Sequence, residues 1–513
     1  MVKTLVFLFI FLYLVPFMTA LCCMVPMFRH LCFAGMLYFT SRDVSMNIMP
    51  MPTWRGTARG YAFSFVYLFA LPLLLSMICS LRYKVRLFPP GIFFYFLYFL
   101  AILLSGYNAP HMHQWGFEVC KMVWMYIIFL ATFNYLNNSR NLNLFIYFVC
   151  FILIYVFLYG LNQKYRQGIY QISSTFPHQN SLSLYLELFG MMVLGVLMNE
   201  KISKILFLLC LMAFGSTCLL IIFTYSRGGL VMYFFGVAVV CMLSILFHGF
   251  SARRLTLMLI GLGVMLCIVG YALPRIITRF KKAPEASKLT RINLAIGAKR
   301  IANDYRLGVG ANNFSEFSGP FRDYMVEQYE KSSKTFLSQA SPYGPIVETI
   351  YLLVAAECGW WGLGTLLLWF LYYYIVCFFN IVLLRKYPCS GISIGIFGGL
   401  TCIYLHSSLE WSLKQGNNFA EQMIVYAVIG VVAVNRKNIK SAYLRSQIRM
   451  QPVATPPPPP PEPELPSPPP EPPPPPPEPE LPSPPPEPEL PPPEPELPPP
   501  ETDQPESQTP VTA

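Results

Sequence analysis

The chain has 513 residues, 54% of them hydrophobic and 15% aromatic, with only 12% charged and a mean hydropathy of +0.47. That is too apolar and too sparsely charged for a soluble globular protein, and the first 450 residues are too apolar to stay disordered in water. Twelve of the 26 acids but none of the 37 bases lie after residue 450, so the preceding body holds 14 acids against 37 bases, a net of about +23. A membrane body this basic calls for anionic partners such as lipid head groups or phosphorylated substrates. No nucleic-acid partner is expected.

A helix needs about 20 apolar residues to cross a bilayer. In chain order the runs of that length are 4–27, 60–80, 87–106, 119–136, 143–161, 181–198, 203–223, 228–247, 255–274, 360–384, 390–408 and 418–435. The fold class is therefore an all-α polytopic membrane protein with about twelve transmembrane helices, its membrane domain covering 1–450. The first run follows Lys3, is too long for a signal h-region and lacks a small-x-small cleavage site, so it reads as an uncleaved anchor; 31–39 is shorter and reads as interfacial. Lys and Arg fall in alternate short loops (81–86, 137–142, 199–202, 248–254, 385–389) and again after 435, which puts both termini in the cytoplasm. The exception is 28–59, whose Arg29, Arg42, Arg55 and Arg59 then lie on the outer side.

One external loop, about 275–346, carries twelve bases and six acids and has the composition of a small helical subdomain. The stretch 347–384 is too long for one straight span. Gly359 and Gly362 divide it into a short interfacial helix, 347–358, and a span. From 451 to 513 the Pro-Pro-Pro-Glu-Pro-Glu-Leu repeats force polyproline II with no core. This disordered Pro/Glu-rich tail is a solvated cytoplasmic spacer or the ligand of a proline-reading cytoplasmic partner. Most of the fourteen cysteines sit inside apolar runs as small hydrophobes, and no CxxC pair has metal spacing.

Ionisable groups at membrane boundaries are functional candidates because burying a charge there costs about 2.5–3.5 kcal/mol or more. Four segments qualify. Tyr225-Ser226-Arg227-Gly228-Gly229 is a tight outer turn, whose Arg227 is an anion ligand or a snorkelling anchor. Phe176-Pro177-His178-Gln179-Asn180-Ser181, with Lys164 and Arg166 upstream, offers a proton relay or a hydrogen bond to a sugar or phosphate, or is plain polar surface. The large loop holds Thr290-Arg291-Ile292-Asn293-Leu294 and Leu307-Gly308-Val309-Gly310-Ala311-Asn312-Asn313-Phe314. Arg291 is a planar fork suited to phosphate oxygens, and Gly308 and Gly310 form a tight turn or let amides approach an anion. Last come Val347-Glu348-Thr349-Ile350-Tyr351 and Ala356-Glu357-Cys358-Gly359. Nine helical residues separate Glu348 from Glu357, so only one of them is expected to face a given cavity. His111-x-His113 lacks a third ligand nearby, and there is no Walker motif, dinucleotide fingerprint or nucleophile elbow.

In this order the four segments, spanning roughly 160–384, resemble the O-antigen ligase/polymerase superfamily of bacterial envelope glycosyltransferases. Its pattern is Phe-x-His-x-Asn before a span, an external Ser-Arg-Gly, a large loop with an Arg and a Gly-x-Gly-x-x-x-Phe, then His-Asn-x-Tyr-Leu leading to Ala-Glu-x-Gly. The resemblance implies transfer of a glycan from a polyprenyl diphosphate carrier to a lipid, protein or growing-polysaccharide acceptor. The reaction would take place on the periplasmic face of the inner membrane, without metal or other cofactor. Carried over by motif, Arg227 and Arg291 grip the donor diphosphate, with His178, Asn180, Arg166 and Tyr351 as substrate-binding residues. The family's histidine position falls on Glu348. A carboxylate there can still accept the proton; otherwise the role shifts to His178, or activity is lost. Ligase and polymerase are not separated by the resemblance. A small-anion transporter, bicarbonate-type, and an inactive scaffold are the readings from other classes.

Overall fold

The computed structural model describes residues 2–80, 83–137, 139–261, 263, 266, 270, 285–319, 324 and 343–450. The expected Pro-rich tail, half of the expected span 255–274 and residues 275–284, 320–323 and 325–342 of the external loop lie outside the described residues. The described chain is overwhelmingly helical, and eight of its helices are long and apolar enough to cross a membrane: Lys3–Met24, Met112–Leu136, Asn141–Tyr165, Gln179–Asn199, Lys204–Phe223, Arg227–His248, Ile350–Leu384 and Gly416–Gln447. The expected spans 60–80, 87–106 and 390–408 are shorter helices, Phe65–Cys79, Ile92–Asn108 and Ser390–His406. Fifteen helical residues reach about 22 Å at 1.5 Å each. The lengths fall short because polar and Pro-rich ends drop out of the runs. Ala62–Ser64 pairs instead with Ser45–Asn47 as a two-stranded antiparallel hairpin, Met46 opposite Phe63, and Pro89-Pro90-Gly91 delays the next helix to Ile92.

We number the helices used below α1 (Lys3–Met24), α2 (Pro26–Thr40), α3 (Phe65–Cys79), α4 (Ile92–Ser105), α5 (Met112–Leu136), α6 (Ser139–Tyr165), α7 (Gln179–Asn199), α8 (Lys204–Phe223), α9 (Arg227–His248), α10 (Glu285–Asp304), α11 (Phe314–Phe317), α12 (Ile350–Leu384), α13 (Ser390–His406) and α14 (Gly416–Met450). Serine caps fix several starts: the hydroxyls of Ser64, Ser203 and Ser226 accept from the amides of Val66, Leu206 and Gly229. The centre of the bundle is α7, buried along its whole apolar window. It packs backbone to backbone on α13, where a Cβ at Gly195 would lie 2.3 Å from the Gly391 carbonyl oxygen and one at Gly395 would lie 2.4 Å from that of Met191. Such close packing is how apolar helices associate when lipid competes for their side chains.

One expectation about the amino-terminal region is corrected, the side on which the chain begins. Residues 31–39 lie within α2, which buries Arg29, Cys32, Phe33, Met36 and Leu37. The chain reverses between α1 and α2 with almost no loop, because Pro26 opens the second helix and holds Val25 extended (φ −117°, ψ 102°). The direction of α1 follows from its neighbours. Phe7 packs on Phe63 and Tyr61, ring centroids 5.6 and 6.1 Å away, whereas the Cys23 thiol reaches the Ser76 carbonyl, 3.7 Å, near the other end of α3. The beginning of α1 and the basic stretch after residue 435 therefore lie at opposite ends of the bundle, not on one side. Arg29, at the start of α2, lies at the same end as that basic stretch, its guanidinium 4.7 Å from the Tyr83 ring centre.

The external loop folds back on the bundle around a second small core of Leu294, Ala298, Ile301, Val309, Phe314, Phe317, Val347, Leu353 and Ala356. It docks where α12 breaks: Gly359 has φ 74° and ψ 173° inside an otherwise continuous helix. The carbonyls freed there accept from the loop, Val309 N to Ala356 O and Gly310 N to Glu357 O, both 3.0 Å. This φ/ψ combination is open to glycine alone, and a Cβ would lie 2.0 Å from the Arg306 carbonyl oxygen. Gly359→Ala is accordingly expected to cost about 1–3 kcal/mol from backbone conformation alone, seen as a lower melting temperature of the detergent-solubilised protein.

Candidate functional site

At the end of the bundle where α7, α9 and α14 begin lies a cavity of about 1050 Å³. The 43–64 segment with its short hairpin forms one wall, and α10, the residues before α12 and the 406–418 turn form the other. His178, Asn180, Arg227, Arg291 and Glu348 all line it. Of the expected site residues, Arg166 and Tyr351 do not. Arg166 is exposed beyond α6, and the Tyr351 hydroxyl donates to the Tyr404 carbonyl, 2.6 Å, inside the helix packing.

Each lining residue is set by local structure. His178 is the extended N-cap of α7 (φ −146°, ψ 148°), and its Nδ1 accepts from the Asn180 amide, 3.3 Å. That bond assigns the ring proton to Nε2, and burial lowers the histidine's pKa below the usual value. Arg227 is the first residue of α9, following a turn in which Tyr225 has φ 50° and Ser226 caps the helix. A guanidinium opposes the positive end of a helix dipole, so this end of α9 favours an incoming anion twice over. Arg291 projects from α10 to the Glu348 carboxylate, 2.5 Å away, with both side chains partly exposed.

The loop containing Gly308 and Gly310 does not present amides to an anion, since those of Val309 and Gly310 are taken by α12. Its Asn312 is instead a latch. The side-chain oxygen accepts from the Ala58 amide and the Thr57 hydroxyl, both 3.1 Å, and the amide nitrogen donates to the carbonyls of Ala58, 3.0 Å, and Gln114, 3.1 Å. The cavity wall 56–60 is thereby fixed to the external loop. His111 of the His-x-His pair meets Glu316 at 3.2 Å. Glu357 does not line the cavity but enters a buried ion cluster; α12 begins only at Ile350, so the expected helical spacing from Glu348 does not set this. In that cluster Lys414 Nζ lies 2.7 Å from Glu357 and 3.2 Å from Glu118, and Lys121 lies 2.7 Å from Glu118.

Sequence reasoning missed three groups that complete the site. Glu410 lines the cavity, accepts from the Asn180 side-chain amide and is almost fully buried. Burial pushes its pKa up to about 7, with Glu348 adding to the rise and His406, Arg291 and Asn180 opposing it. The second group is His406, at the end of α13, with Glu187 of α7 at 2.8 Å from its Nδ1. The third is the Lys121–Lys414 pair, whose side chains form part of the floor. Glu187 and Glu118 lie inside or beside apolar runs, and the cost of such a charge should have singled them out.

Glu410 binds a proton in the folded protein at pH values where the unfolded chain has lost it. Stability contributed through this group therefore falls as pH rises from about 4.5 to about 7. Glu410→Gln is expected to flatten the pH dependence of thermal melting across that window; an unchanged slope would assign the dependence elsewhere. Compared with known proteins, the sequence matches no family model and no curated protein.

Proposed function

We propose that this cavity transfers a glycan from a polyprenyl diphosphate carrier to an acceptor hydroxyl, as an O-antigen ligase does, with O-antigen polymerase as the alternative within the same chemistry. The observation that carries the reading is that five residues nominated from four separate segments line a single cavity at one end of a membrane-crossing bundle. Arg227, Arg291 and the starting turns of α7, α9 and α14 supply positive potential there. This arrangement suits a diphosphate whose lipid tail stays in the bilayer while its head enters from the side. As the bond from sugar to diphosphate breaks, negative charge grows on the leaving oxygens, and two guanidiniums stabilise it. Glu348 holds Arg291 in position before the donor arrives.

The bases of the opposite end, Arg29, Lys84, Arg86, Arg253, Arg254, Lys386 and Arg436, favour a cytoplasmic location for that end. The cavity would then open to the periplasm of a bacterial inner membrane, with the chain crossing about twelve times or once more. The Pro-rich tail would leave from the cytoplasmic end. A small-anion transporter would hold its cations near the bilayer midplane, whereas Arg227 sits at the start of α9 and Arg291 on α10 of the loop. The test is expression in cells that assemble O-antigen but lack their own ligase or polymerase. Restored high-molecular-weight lipopolysaccharide in the ligase-deficient host supports the ligase reading, restored chain length in the other host supports polymerase, and neither in both hosts rejects the proposal.

A further inference from the structure

Transfer needs a base for the acceptor hydroxyl, and Glu348 is engaged with Arg291. A better-built group lies on the same wall. His406 is 1% exposed and still lines the cavity. Its Nδ1 is 2.8 Å from Oε1 of Glu187, which is fully buried on α7 and accepts from no other side chain among the described residues. A carboxylate so placed fixes the proton on Nδ1 and leaves Nε2 as the basic nitrogen. Nε2 faces the start of α9, where a Cβ on Gly228 would lie 2.9 Å from it. Any larger residue at 228 would crowd that nitrogen, and the neighbour of Gly228 is Arg227. The glycine contacts between α7 and α13 keep the two helices carrying the pair in register.

We propose that His406, oriented by Glu187, is the general base of the transfer reaction; this rests on the reading of the cavity as a glycosyltransferase site. In the step, the acceptor oxygen forms its bond to the anomeric carbon and gives its proton to His406 Nε2. The bond from that carbon to the diphosphate oxygen breaks, and its electron pair leaves on the diphosphate beside Arg227 and Arg291. Glu187 steadies the imidazolium formed. Charged and titratable groups facing His406 are Glu187 from α7 and Glu410 from the following turn, with Arg291 and Glu348 beyond Glu410 and Arg227, the neighbour of Gly228, lining the same cavity.

The experiment uses membranes of a ligase-deficient host carrying the full-length protein, the host's own undecaprenyl diphosphate-linked O-antigen as donor and rough lipopolysaccharide as acceptor. The wild-type kcat is expected to rise with pH along an acid limb. In His406→Gln kcat should fall by about 10²–10⁴-fold with KM little changed, and the acid limb should vanish. Glu187→Gln should fall in the same direction, and Glu187→Asp should recover part of the loss. If His406→Gln does not accumulate, the Glu187→Gln and Glu187→Asp pair decides, because a merely structural role would alter yield and not the pH profile. An active wild type with an equally active His406→Gln, or with an unchanged profile in Glu187→Gln, overturns the base assignment alone. A wild type silent both here and in the polymerase-deficient host overturns the cavity reading and the base with it; one active only in the latter moves the same measurements to that host.

Discussion

Arg227→Ala is expected to lower transfer by about 10²–10³-fold, the usual loss on removing one group that stabilises charge in the transition state, with the protein still folded. The residue opens α9 after a turn held by Thr224 and Ser226, and melting curves check that the variant keeps its fold. Arg227→Lys should recover only part of the rate, because an ammonium cannot make the forked contact to two phosphate oxygens. Arg291→Ala should be as damaging, but it also releases Glu348 into the cavity, where a carboxylate repels the donor. Adding Glu348→Gln to Arg291→Ala separates the two effects. If the double variant regains wild-type rates, Arg291 serves only to mask Glu348; if it stays at the level of Arg291→Ala, the guanidinium itself binds the donor. The ion pair is partly exposed on both sides, so its loss should cost stability no more than about 0–1 kcal/mol. Turnover measured on host membranes, together with melting curves, reads both quantities.

The apolar lengths marked most of the bundle, because a membrane imposes a minimum run and the chain obeys it. They missed the reversal at Val25-Pro26, where hydrophobicity continues from residue 4 to 39 with little punctuation beyond Pro16, Pro26 and Arg29-His30. That one turn decides at which end of the bundle α1 starts. At the site, Arg227 and Glu348 were legible because a charge beside an apolar run needs a reason, and Arg291 because its fork in the large loop suits phosphate oxygens. His406 was not, since its partner Glu187 is 219 positions away and a histidine closing an apolar helix looks like an interfacial anchor. The Gly308-Val309-Gly310 turn was half legible: the glycines do allow a close approach, but to the broken turn of α12 and not to an anion.

The buried ion cluster beneath the cavity should dominate the stability of the protein. Lys414 sits in the turn just before α14 with its Nζ between Glu357 of α12 and Glu118 of α5, all three side chains at most 2% exposed. Burial works against the ammonium, but the two carboxylates hold it charged, with a pKa well above the usual lysine value. Lys121 lies against Glu118 and donates to the Lys414 carbonyl, 3.1 Å, so the four side chains are neutral as a set. Lys414→Met removes one positive charge and leaves two carboxylates to share Lys121, at an expected cost of about 3–5 kcal/mol. Glu357→Gln alone leaves the opposite imbalance and should also destabilise. The double variant Lys414→Met with Glu357→Gln keeps only the Glu118–Lys121 pair, neutral again, and should recover most of the loss. Melting of the purified variants in one detergent measures this. A Lys414→Met protein as stable as wild type would mean that the carboxylates take up protons or water instead, and that the cluster is not what ties α5, α12 and the start of α14 together under the arginines.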